Sequence, residues 1–139
     1  IELFVIVMLI GVVVVAILSA VITSVVTSST ARNSARVETI VVNATDRLNR
    51  APKACDYAAY VQAAVQTEGW SVNTASVVQK YYVPGSDPTA AGTWTTGPTS
   101  GPACPGGTSS DLIVQRITVT IHSPDGRVHR SIEVLKSDV

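Results

Sequence analysis

Residues 1–26 read IELFVIVMLIGVVVVAILSAVITSVV, and Leu3–Leu18 is an unbroken apolar run. As a helix, Leu3–Val26 would be about 36 Å long at 1.5 Å per residue. That exceeds a hydrocarbon core of about 30 Å. The interrupting Ser19, Thr23 and Ser24 are small, and their hydroxyls can bond back to the helix's own carbonyls. A cleavable secretory signal would carry a basic leading region and usually a shorter apolar core. The stretch has neither, so it reads as a membrane-spanning helix.

The rest of the chain has the opposite character. Of 139 residues, ten are Lys or Arg and ten Asp or Glu, for a formal net charge of zero. Glu2 is the only charge before Arg32; the others lie between Arg32 and Asp138. The length allows one small domain plus an extra element. Zero net charge argues against a nucleic-acid-binding surface.

Residues 27–50 keep a helical pattern and become amphipathic. Val37, Ile40, Val41, Ala44 and Leu48 fall at i, i+3, i+4, i+7 and i+11, one face of a helix. Pro52 ends it, because the residue before a proline is pushed out of the α region. Residues 1–50 are therefore expected to form one helix of about 75 Å. Its segment 1–26 would be the transmembrane part and 27–50 its amphipathic continuation.

Residues 51–139 form the globular head. Asp56 is the expected N-cap of a helix over Tyr57–Glu68, with Gly69 as its stop. Val77–Val83 is rich in β-branched and aromatic residues and reads as a strand closed by Pro84-Gly85. Ser86–Ser110 reads as a loop, since 19 of its 25 residues are Pro, Gly, Ser or Thr. Leu112–His122 and Arg127–Lys136 read as a terminal hairpin. Joining their apolar faces pairs Ile121 with Val128 and Ile117 with Ile132, leaving Ser123–Gly126 as a four-residue loop around a type I turn. Arg130 is the misfit on the inner face and should emerge at an edge. The expected fold class is α+β, a long N-terminal helix packed on a small antiparallel sheet.

Ile1-Glu2-Leu3, the following apolar residues, Gly11 and the Val/Ala/Ile/Leu tail resemble the N-terminal motif of type IV pilins and type II secretion pseudopilins. The resemblance is specific over residues 1–26 and architectural beyond. Two departures are plain. Family members carry four residues before the glutamate, and this sequence has one. Many members also have a proline midway along the segment, whereas the first proline here is Pro52.

The resemblance implies a structural subunit rather than an enzyme, with no cofactor. A prepilin peptidase would remove a basic leader and leave a free, often methylated, amine. Subunits would wait in the membrane, then pass through a pilus assembly machinery into an extracellular homopolymer whose core is the bundled helices. An ionised carboxylate in such a core is costly unless paired. The neighbouring subunit's terminal ammonium is the natural partner of Glu2, and the pair would set axial register. Local unwinding near Gly11–Val15, seen in many pilins within filaments, is expected to be reduced without the later proline. The runner-up within the family is a pseudopilin acting as a secretion piston. A different class is a monomeric membrane-anchored binding domain.

Cys55 and Cys104 are the only cysteines. Outside the cytoplasm, where the anchor would place the head, disulfides persist. A Cys55–Cys104 bridge would pin a loop with little core of its own. His122 and His129 flank the hairpin turn, but a metal site needs more ligands. No Ser/His/Asp set, phosphate loop or paired acidic motif has credible context. Asn43-Ala44-Thr45 matches the N-glycosylation pattern, and the Ser/Thr-rich loop is the better candidate for O-glycans. Trp94, inside that loop, either folds over apolar surface or is an exposed binding contact.

Overall fold

The computed structural model describes residues 2–52, 54–96 and 114–137. Helix α1 covers Glu2–Arg50 without interruption. Helix α2 covers Ala58–Thr67, and a 3-10 turn follows at Val72–Thr74. The strands are β1 (Ala75–Val83), β2 (Thr93–Thr96), β3 (Val114–His122) and β4 (His129–Ser137). They form one antiparallel sheet in the order β2-β1-β3-β4. The fold is α+β, as expected. Leu112, expected in the hairpin's first strand, lies outside the described residues.

The chain divides into two compact units, residues 1–33 and 34–139. In the first, every large apolar side chain from Leu3 to Val26 is exposed. The segment is long and apolar enough to cross a membrane. Its threonine hydroxyls bond within the helix. Thr23 donates to the Ser19 carbonyl at 2.9 Å, Thr27 to that of Thr23 at 2.9 Å, and Thr30 to that of Val26 at 2.9 Å. These donors need neither water nor a partner helix.

In the second unit the five stripe residues Val37, Ile40, Val41, Ala44 and Leu48 are the buried residues of α1. They join a single core with Tyr57, Val61, Ala64 and Val65 and with the inward strand residues Ile117, Val119, Ile121 and Val134. Burial along β3 alternates residue by residue, so one sheet face meets the helices and the other does not. Helix α2 starts one residue later than expected. Tyr57 is its N-cap and makes no side-chain cap bond, while the Asp56 carboxylate accepts from the Ala58 amide at 2.8 Å. It ends one residue earlier than expected, with the expected stop in place: Gly69 adopts φ +72, its amide bonds the Gln66 carbonyl at 3.0 Å, and the Trp70 amide bonds that of Val65 at 3.3 Å. This pair of bonds closes the last turn and folds Trp70 back into the core.

The hairpin register corrects the sequence expectation by two residues. Ile121 faces Arg130, Val119 faces Ile132 and Ile117 faces Val134. The turn itself is as expected, with Gly126 at φ +69 and its amide bonded to the Ser123 carbonyl at 2.8 Å. The register is set by side chains at the turn. Ser123 donates its amide to the Val128 carbonyl at 2.8 Å, and its hydroxyl oxygen accepts from the Val128 amide at 3.1 Å. The same hydroxyl donates to Asp125, which also accepts from the Arg127 amide at 3.2 Å. Ser123 therefore sits opposite Val128, and the loop becomes Pro124–Arg127. A two-residue shift keeps every side chain on its face, so apolar patterning alone does not exclude it.

A second correction concerns Ser86–Ser110. Thr93–Thr96 within it forms β2, paired with β1 so that Trp94 faces Tyr82. Thr and Trp favour strands, and the open edge of β1 supplies the partner. Arg130 emerges on the edge strand β4, as expected, where its Nε lies 2.6 Å from the Glu38 carboxylate.

Candidate assembly site

Glu2 occupies the first turn of α1. A carboxylate there faces the partial positive charge of the helix N-terminus, worth a few tenths of a kcal/mol up to about 1 kcal/mol. No ion-pair partner for it is found among the described residues. Around and after it, the apolar surface is uncovered on all sides: Leu3 is 79% and Phe4 80% exposed. A helix apolar all round is stable only when lipid or other helices enclose it.

Gly11 lies inside the uninterrupted helix. A methyl group placed there would meet nothing within 4 Å. The fold of a single chain thus makes no demand for glycine at this position. Glycine in fact costs about 1 kcal/mol of helix propensity relative to alanine.

On the head, Cys55 is disulfide-bonded. Cys104, the only other cysteine of the sequence, lies outside the described residues. The chain just before Cys55 is held by a buried polar network. Tyr57 Oη accepts from the Ala54 amide at 3.0 Å and donates to Gln115 Oε1 at 2.7 Å. The Ala54 carbonyl accepts from Gln115 Nε2 at 3.0 Å and from Gln79 Nε2 at 3.2 Å. Burial raises the Tyr57 pKa above its ordinary value, and the Ala54 amide bond opposes this only in part. Lys136 completes the arrangement. Its ammonium donates to the carbonyls of Leu48, at 2.8 Å, and Ala51, and lies 5.2 Å from the Tyr57 ring centre. It thereby adds a donor to carbonyls at and just past the C-terminal end of α1, where, among the described residues, the Leu48 carbonyl otherwise accepts only from the Ala51 amide at 3.3 Å. Desolvation lowers its pKa.

The network was invisible to sequence reasoning, although a signal was present. Gln79 and Gln115 sit at inward positions of β1 and β3, where an apolar residue is the rule, and are 7% and 1% exposed. Such residues need partners.

His122 and His129 are direct partners across the hairpin. The His122 ring faces two backbone carbonyls, Ser123 at 3.2 Å and Asn73 at 3.1 Å. Among the described residues no group of three His, Cys, Asp or Glu side chains is placed to hold a metal. Asn43 and Thr45 of the glycosylation pattern lie within α1, where the Asn43 amide oxygen accepts from Arg47 Nε at 2.9 Å. Trp94 is 36% exposed and packs edge-on against Tyr82, with ring centres 5.4 Å apart. No family model, curated protein or solved structure matches this chain.

Proposed function

We propose that this chain is a structural, non-catalytic subunit that polymerises through its N-terminal helix into a type IV pilus-like filament at the cell surface. It would wait in the membrane as a single-pass protein before assembly. The observation that carries the proposal is the pairing of one carboxylate, Glu2, with an apolar surface that the chain itself leaves wholly uncovered from Leu3 to Val26. Lipid can cover that surface. Copies of the same helix can cover it equally well, and their N-terminal amines would also supply a partner for the carboxylate.

In the resembling family that partner is the processed N-terminal amine of the adjacent subunit. A charge pair inside a helix bundle discriminates sharply in axial position, because removing either partner leaves the other buried at a cost of about 3–5 kcal/mol. The apolar contacts alone slide with little penalty. Hydrophobic cover would thus supply adhesion between subunits and Glu2 would supply register. The hydroxyls of Thr23, Thr27, Ser29 and Thr30 bond within their own helix, so moving from lipid to bundle strands none of them.

The test is electron microscopy of sheared surface material from cells making this chain, with mass spectrometry of its mature N-terminus. Filaments composed of the chain, with a processed N-terminal amine, are expected. Protein that stays in the membrane as a monomer, with no filament, would overturn the proposal and favour an anchored binding domain.

A further inference from the structure

The outer face of the sheet, turned away from the helices, carries an organised cluster that neither the core nor filament assembly uses. Trp94 on β2 and Tyr82 on β1 are direct cross-strand partners. Arg116 on β3 reaches across β1 and lays its guanidinium 4.7 Å from the centre of the Trp94 ring. Lys80, at the middle of this arrangement, is paired on one side with Thr96 and on the other with Arg116. Two aromatic rings and two cations therefore share one end of a flat surface. Among the described residues of that face the acidic one, Glu133, stands at another row opposite Thr118.

The rings are fixed in place. A methyl group at Gly92 would clash with the Tyr82 ring carbon Cζ and its hydroxyl, so the ring rests directly on the backbone there. Trp94 meets it edge-on, and Arg116 stacks on Trp94. A stacked guanidinium keeps its N–H edges free in the ring plane and presents them as a fork that suits a carboxylate. Pre-placed rings bind without ordering new side chains.

We infer that this cluster is a binding site for a carboxylated polysaccharide, in which the apolar faces of sugar rings lie on Trp94 and Tyr82 and a uronate carboxylate is held by Arg116 and Lys80. The charge complementarity is local: two cations meet one carboxylate per repeat. A polynucleotide, with a phosphate at every residue, calls for a longer basic track, and the chain as a whole carries no net charge. The site does not depend on the filament proposal, because a single detergent-solubilised chain contains it entire.

The experiment is retention of the full-length chain, in detergent micelles, on immobilised polygalacturonate, with neutral dextran and oligothymidylate as competing probes. Saturable binding to polygalacturonate is expected, weakened at least tenfold in Trp94→Ala and in Arg116→Gln, and unchanged in Ser131→Ala on the same face. Gly92→Ala, which crowds the Tyr82 ring and the Val83 carbonyl without removing a ligand-binding group, should also weaken it. Emission from buried Trp70 verifies the fold of each variant. Absence of binding by the parent chain, equal retention of Arg116→Gln, or preference for dextran or oligothymidylate would each overturn the assignment.

Discussion

In the first half of α1 all the large apolar side chains are exposed; between Val37 and Leu48 five apolar residues are buried, and Val42 stands out at 68% exposure. One helix thus presents two kinds of surface. The later segment has a single apolar stripe, flanked by Arg36, Glu38, Asp46 and Arg47, and its own sheet covers that stripe. The earlier segment has no polar side to leave in water, so no small sheet can cover it. Periodicity tells which surface a chain covers for itself. Its absence in an apolar run tells which surface must be covered by something else.

Four experiments break or sharpen this contrast. The largest effect is expected from Glu2→Gln, which keeps the shape and removes the charge. Membrane levels of the chain should be unchanged, while the yield of sheared filament falls close to zero. Normal filament yield would leave Glu2 as an interfacial carboxylate and remove the charge pair from the mechanism.

Next comes Ile40→Ala in the covered segment, at a site of 0% exposure. Truncation there should cost the head about 2–5 kcal/mol, read by chemical unfolding of the chain in detergent. Val42→Ala, on the exposed side of the same helix, should change stability by no more than about 0.5 kcal/mol. Equal effects at the two sites would deny that the stripe is what the sheet covers.

Tyr57→Phe is expected to cost about 1–3 kcal/mol, by leaving Gln115 and the Ala54 amide short of a partner. It also has a signature in pH. The Tyr57 pKa is raised in the folded chain above its ordinary 10.0, so the unfolded chain loses this proton first. Unfolding free energy should then fall as pH rises beyond about 10, and Tyr57→Phe should remove that part of the fall. Lys136 contributes with the opposite sign: its lowered pKa makes the unfolded chain bind more protons as pH approaches 10.5. The variant comparison isolates the tyrosine.

The smallest effect belongs to Gly11→Ala. With open space around the position, the substitution should leave head stability unchanged and favour the isolated helix by about 1 kcal/mol. Circular dichroism in micelles checks the second part. A drop in filament yield with helix content preserved would place a close contact between copies at Gly11.

What the sequence disclosed follows the range of the interactions concerned. The helix, its buried stripe and the Gly69 stop depend on residues within a few positions of each other, and all were legible. The hairpin was legible in its faces and in its turn, but not in its pairing. Apolar alternation repeats every two residues, and the choice between registers fell to the Ser123 and Asp125 side chains. Strand β2 escaped notice because Thr93–Thr96 is embedded among turn-forming residues and becomes a strand only beside β1. The Tyr57, Gln79 and Gln115 network joins positions up to 61 residues apart through the Ala54 carbonyl. No local pattern encodes that. Of the candidate assembly site, Glu2 stands out in the sequence because it interrupts a long silence of charge.

Lys136 and Arg130 have a mechanical consequence. Both lie on β4, and they tie that strand to α1 at two places, Arg130 to Glu38 and Lys136 to the carbonyls of Leu48 and Ala51. From Glu38 to Leu48 the helix advances about 15 Å, and from Arg130 to Lys136 the strand advances about 20 Å. The two elements therefore run in the same direction, side by side. A pull along this part of α1 loads both ties, and the apolar stripe between them, in shear and at the same moment. Contacts sheared together must fail together, whereas contacts peeled from one end fail in turn. Load on this part of the helix would thereby be shared with the sheet rather than concentrated at one contact.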